Sequence, residues 1–185
     1  MTMTPGLRKF VLTAHITSSV GWLGSVVAFL ALAVAALTVQ DAQLVRAAYL
    51  AMELTTWYVI VPLALASVLI GVVNALGTPW GLFRHYWVLV KLLLVLFATI
   101  ILLLETQTIS YMAGVAAETT LSSADLRGLR SPGLVVHAGG GLLVLLVTTV
   151  LSVYKPRGLT PYGWRKRQEG RPVLAPAADA SQDGQ

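Results

Sequence analysis

Four long apolar stretches alternate with short segments rich in charge, glycine and proline. Read by length and punctuation, they place helices near Phe10–Leu37, Ala48–Leu76, Tyr86–Gln107 and Leu134–Tyr154. Each is long enough to cross a bilayer core, which takes about 20 apolar residues at helical rise. The first connection carries Asp41 and Arg46. The second, "GTPWGLFRHYW", is a Gly/Pro turn with aromatic residues suited to a membrane interface. The third, roughly 108–133, is the longest, and its "SSADLRGLR" has the Ser/Asp start and glycine break of a short amphipathic helix. Pro62 lies inside the second stretch, where it removes a backbone donor and crowds the preceding turn. A bend near Tyr58–Pro62 follows, with a neighbouring helix or polar side chain covering the carbonyl freed at Tyr58.

Composition supports the membrane reading. Of 185 residues, 56% are hydrophobic and 11% charged, against about 25% charged in soluble domains. The net charge of +5 is not a nucleic-acid footprint, because the basic residues flank the spans. One side holds Arg8, Lys9, Arg84, Lys91, Lys155, Arg157, Arg165, Lys166, Arg167 and Arg171; the other holds Arg46, Arg127 and Arg130. Ten against three puts both termini in the cytoplasm. The expected fold is thus an all-α integral membrane four-helix bundle in the cell membrane. Residues 1–154 form the transmembrane domain and 155–185 a basic cytoplasmic tail, disordered beyond the interface. The tail, with Tyr162 and Trp164, is expected to lie on anionic lipid. The small-residue run Ala33–Ala36 resembles a signal-peptide cleavage site. The apolar run before it is about twice the length of a signal h-region, so the first span is expected to be retained.

Cysteine is absent, which removes disulfides, thiolate zinc sites and iron–sulfur clusters. No GxSxG, P-loop or HExxH motif occurs. The candidate chemistry therefore rests on ionisable residues within the spans: His15, Glu53, Lys91, Glu105 and His137. Such groups are costly in hydrocarbon and tend to face the bundle interior. His15 stands about 8 Å above Phe10, and Lys91 about 8 Å above Tyr86 on a span running the same way, so the two share a depth. His137, Glu53 and Glu105 belong near the opposite surface. The two histidines are then about 15–20 Å apart along the membrane normal and cannot share one haem iron. A two-histidine haem would need His15 with His85, or a residue of a second chain, so a homo- or hetero-oligomer stays open; a single histidine could hold a five-coordinate haem. Ser18, Ser19 and Trp22 share the His15 stripe. Gly21 and Ser25 form a small-xxx-small pair that lets a helix approach. Gly140 and Gly141 lie beside His137, where glycine serves either a flat macrocycle or close helix packing.

The stretches "LTAHITSSVGWLG", "FRHYWVLVKLLLVLF" and "VVHAGGG" resemble an uncharacterised family of four-helix bacterial membrane proteins. More distantly, they are similar to CopD-type copper-resistance domains and HemJ-type protoporphyrinogen oxidase. The resemblance covers residues 10–154. It implies that His15 is the family histidine, a haem ligand in the HemJ type, and that Lys91 is the family lysine. This chain departs from the HemJ pattern after Trp22, reading "LGSVVAFLALAV", without the Leu-Pro-Arg and Tyr-His continuation; its four methionines are few for copper handling.

Three expectations follow. The first is a haem b- or porphyrin-handling redox membrane protein, with His15 as metal ligand, His137 as a further cofactor residue and Lys91 near a carboxylate. The second is a non-enzymatic membrane subunit whose polar residues only stitch helices. The third is a small transporter or metal-handling protein, for which the apolar span centres leave no continuous polar path.

Overall fold

The architecture is that of a computed structural model. It describes residues 3–78, 81–118, 123–156 and 158–169, so Arg157, Arg171 and the end of the tail lie outside the described residues. Helix α1 spans Pro5–Thr38, α2 Ala42–Thr55 and α3 Val61–Leu76, with a π-helical turn, Thr56–Ile60, between the last two. Helix α4 spans Tyr86–Ala117, α5 Ser123–Leu129, α6 Gly133–Tyr154 and α7 Pro161–Glu169. Four segments are long and apolar enough to cross a membrane: α1, Ala42–Leu76, α4, and Asp125–Tyr154. The spans pack in cyclic order. The second and fourth each lean on the first and third, which leaves α1 and α4 on a diagonal.

Small residues make the close contacts. Ala33, Ala36, Ala48, Ala64, Ala113 and Ala116 are buried around Trp22, Phe29, Tyr49 and Met52. Helices in lipid gain little from apolar burial, so close backbone approach and shape do the packing. Gly21 shows this directly: a Cβ there would meet Leu63 of α3 at 3.2 Å. Outward, Phe10, Leu69, Leu93, Leu104 and Leu143 are well exposed, as a lipid-facing surface requires.

Several boundaries differ from the sequence reading. The second span starts earlier than Ala48, because the Asp41 carboxylate accepts from the Gln43 N–H at 2.8 Å and caps α2. The third span runs on to Ala117: Ile109, Ala113 and Ala116 continue a buried helical stripe past Gln107. At Pro62 the irregularity takes the form of a π turn, in which the Val61 N–H donates to the Thr56 carbonyl five residues back. The polar contact across helices at this level is made by the Trp57 side chain, whose Nε1 donates to Ser110 Oγ at 3.1 Å. Within the tail, Pro161–Glu169 is helical, an element the sequence reading did not place. Thr160 supplies the reason: its hydroxyl accepts from the Gly163 N–H at 3.1 Å, an N-cap for α7.

At the end opposite the two described termini, arginines close helix ends. Arg46 donates to the Ala117 carbonyl at 2.8 Å, and Arg130 donates to the carbonyls of Val39 and Gln40 at 3.1 and 3.4 Å. Ala117 is the last residue of α4 and Val39 the C-cap of α1, where a cation also meets the favourable end of the helix dipole. The Tyr49 hydroxyl donates to the Leu129 carbonyl and holds α5 against the second span.

Candidate functional site

At the end carrying both described termini, side chains from three spans converge inside the bundle. His15 on α1 turns its ring against Gly71 of α3; a Cβ at Gly71 would lie 2.8 Å from the ring's Cε1. Lys91 reaches across the diagonal from α4 and places Nζ 3.5 Å from His15 Nε2. Its flexible four-carbon stem makes that reach possible. With the lysine as donor, Nε2 accepts and the neutral ring carries its hydrogen on Nδ1. That nitrogen is buried and has no hydrogen-bond partner among the described residues. One turn along α3, the buried Asn74 Oδ1 also lacks a hydrogen-bond partner among the described residues. Lys91 forms no ion pair with a carboxylate among the described residues. The centre is therefore rich in nitrogen donors and poor in acids.

The hydroxyls around it are engaged. Ser18 Oγ donates to the His15 carbonyl at 3.1 Å, and Ser19 Oγ lies 2.8 Å from Ser67 Oγ across the α1–α3 contact. Ser25 Oγ donates to the Trp22 carbonyl at 2.8 Å. The shared depth of His15 and Lys91, inferred from helical rise alone, is realised as direct contact. Ser67 and Gly71 escaped the sequence reading, although their four-residue spacing is itself a small-xxx-small signal.

The remaining candidates sit elsewhere. His137 Nδ1 lies 3.1 Å from Glu105 Oε1 at the other end of the bundle, and the histidine is half-exposed. A Cβ at Gly139, Gly140 or Gly141 would meet nothing within 4 Å, so these glycines are not in helix contact. Glu53 is part-buried on α2. His85 is the N-cap residue of α4, its backbone bridged to Leu159 and its ring 6.4 Å from that of Trp87. Among the described residues, no group of three or more His, Asp or Glu side chains is placed to hold a metal ion.

Lys91 suits a propionate carboxylate. In this structure His15 Nε2 faces Lys91 Nζ at 3.5 Å and the ring's Cε1 lies against Gly71. His137 stands at the far end, paired with Glu105. A cleft of about 190 Å³ between α1 and α3, lined by Phe10, Val11, Ala14, Leu69, Ile70 and Val73, is wholly apolar. It falls below the roughly 300–1,000 Å³ of typical small-molecule pockets. Comparison with protein families, curated proteins and solved structures finds no match for this chain.

Proposed function

We propose that this is a multi-pass protein of the cytoplasmic membrane, with both termini in the cytoplasm, that holds the carboxylate of an amphipathic ligand at Lys91. Haem b and its porphyrin precursors are the ligand class suggested by the sequence resemblance. The observation that carries the reading is the amine of Lys91 at the bundle centre, beside His15 and without an acidic partner among the described residues. Ionisable groups at such depth mark ligand or ion sites more often than lipid contacts. His15 then orients Lys91 through Nε2, and Gly71 provides the space that seats the imidazole.

A second reading is favoured by the same 3.5 Å contact: the lysine and histidine satisfy each other and serve helix packing alone. The visible spectrum of the full chain, purified in detergent and recorded oxidised and dithionite-reduced, separates the two. The binding reading expects a tetrapyrrole band that is lost in Lys91→Met. A colourless wild-type protein supports the packing reading.

A further inference from the structure

A second cavity lies away from His15, at the surface end where α4 begins and α6 stops. It is a cleft of about 870 Å³ whose lining includes Arg84, Lys155, Lys166, Arg167, Trp87 and Trp164. Three pieces of chain build it. The segment before α4 pairs with the segment after α6 through an antiparallel bridge at His85 and Leu159, with the Tyr86 N–H donating to the Gly158 carbonyl at 3.3 Å. Thr160 ties the third piece: its N–H donates to the Arg84 carbonyl at 3.0 Å, its hydroxyl donates to the Phe83 carbonyl at 2.6 Å, and the same hydroxyl caps α7. Gly163 of α7 packs directly on the Arg84 carbonyl, where any Cβ would overlap it. The chain leaves α6 through Lys155 in the left-handed region, at φ 44° and ψ 62°. A lysine adopts that conformation only at a cost, and here it turns the chain toward the cleft.

Four cations and two indoles thus line a cleft fixed by backbone hydrogen bonds. Among the lining residues, Lys166 donates from Nζ to Glu169 at 2.7 Å. The indole of Trp164 and the phenol of Tyr162 are exposed on α7. Aromatic residues with basic ones, at the end of apolar spans, belong at the headgroup level of a bilayer. We propose that this cleft binds the phosphate of an anionic phospholipid headgroup. Arginine suits the phosphate oxygens by its forked donors, and the tryptophans suit the glycerol and upper acyl region. The inference is independent of the His15–Lys91 reading and of the orientation in cells.

Native mass spectrometry of the full chain in detergent tests it, with equal amounts of dioleoylphosphatidylglycerol and dioleoylphosphatidylcholine offered together. The wild type is expected to retain the anionic lipid selectively. Arg84→Gln with Arg167→Gln should reduce that selectivity by about tenfold, since each basic residue near an anionic lipid contributes several-fold. Arg8→Gln with Lys9→Gln removes equal charge from the same end of the bundle, outside the cleft, and should leave selectivity intact. If the double variant fails to fold, Arg167→Gln alone, on the exposed face of α7, should show a smaller loss of the same kind. Equal retention of both lipids by the wild type would overturn the proposal, as would equal loss in the two double variants. Displacement of the lipid by inorganic phosphate at matched concentration would assign the cleft to a soluble phosphate instead.

Discussion

At the scale of single residues, Gly71 decides where His15 can sit. An α-helical glycine inside a span is tolerated here because the imidazole occupies the space of a side chain. Gly71→Ala would place a methyl group 2.8 Å from Cε1, so the ring must move and the contact with Lys91 is strained. Overpacking of this kind typically costs about 1–3 kcal/mol. The expected result is a lowered unfolding midpoint in detergent, with a smaller change for Gly24→Ala, where a Cβ would meet nothing within 4 Å. Equal effects at the two sites would show that the ring does not lie on Gly71. The His15–Lys91 pairing itself was legible from helical rise, because two residues equally far into parallel-running helices share a depth. Its direct contact was not, since sequence spacing carries no information on which faces of α1 and α4 meet across the diagonal.

Among elements, the helix ends and α7 carry the sharpest expectations. Arg130→Ala removes donors from the Val39 and Gln40 carbonyls, and charged hydrogen bonds contribute about 1.5–3 kcal/mol each way of counting. Chemical denaturation should show that loss, while the exposed Arg127→Ala should be near neutral. These arginines read in sequence only as topology charges, because a long-range cap leaves no local pattern. On α7, the hydrogen bond from Lys166 holds the Glu169 carboxyl below the usual carboxylate range and raises Lys166 above its ordinary value. The pair therefore supports α7 above the unfolded glutamate value and fades as pH falls through the lowered one. On the basic side it holds up to the unfolded lysine value and fades as pH rises through the raised one. Both groups are solvent-exposed, so added salt should weaken the effect. Carboxyl NMR titration of Glu169 should find its midpoint below that of a free glutamate; an unshifted midpoint would mean that the pair does not persist. That α7 is helical at all escaped the sequence reading. Its basic, Gly- and Pro-containing sequence has weak intrinsic preference, and the order comes from Thr160 binding backbone before α4.

For the whole molecule, span number and approximate position followed from apolar length, since a bilayer admits few alternatives to the helix. The extension of α4 to Ala117 was missed because Gln107, Ser110 and Thr108 break the apolar run while the buried small-residue stripe continues. The shared face of both described termini fits an even number of spans. Reporter fusions ending after Ala42 and after Gly77 should report outside and inside respectively; the reverse pattern would turn the bundle over. The central claim is that Lys91 engages a ligand carboxylate at the bundle centre. Its most direct measurement is a fluorescence titration of the purified full chain with protoporphyrin IX and, separately, its dimethyl ester. The account predicts that wild type prefers the free acid by about tenfold or more, as a charge-assisted hydrogen bond implies, and that Lys91→Met abolishes the preference. Equal binding of acid and ester, or a preference that survives Lys91→Met, would contradict it.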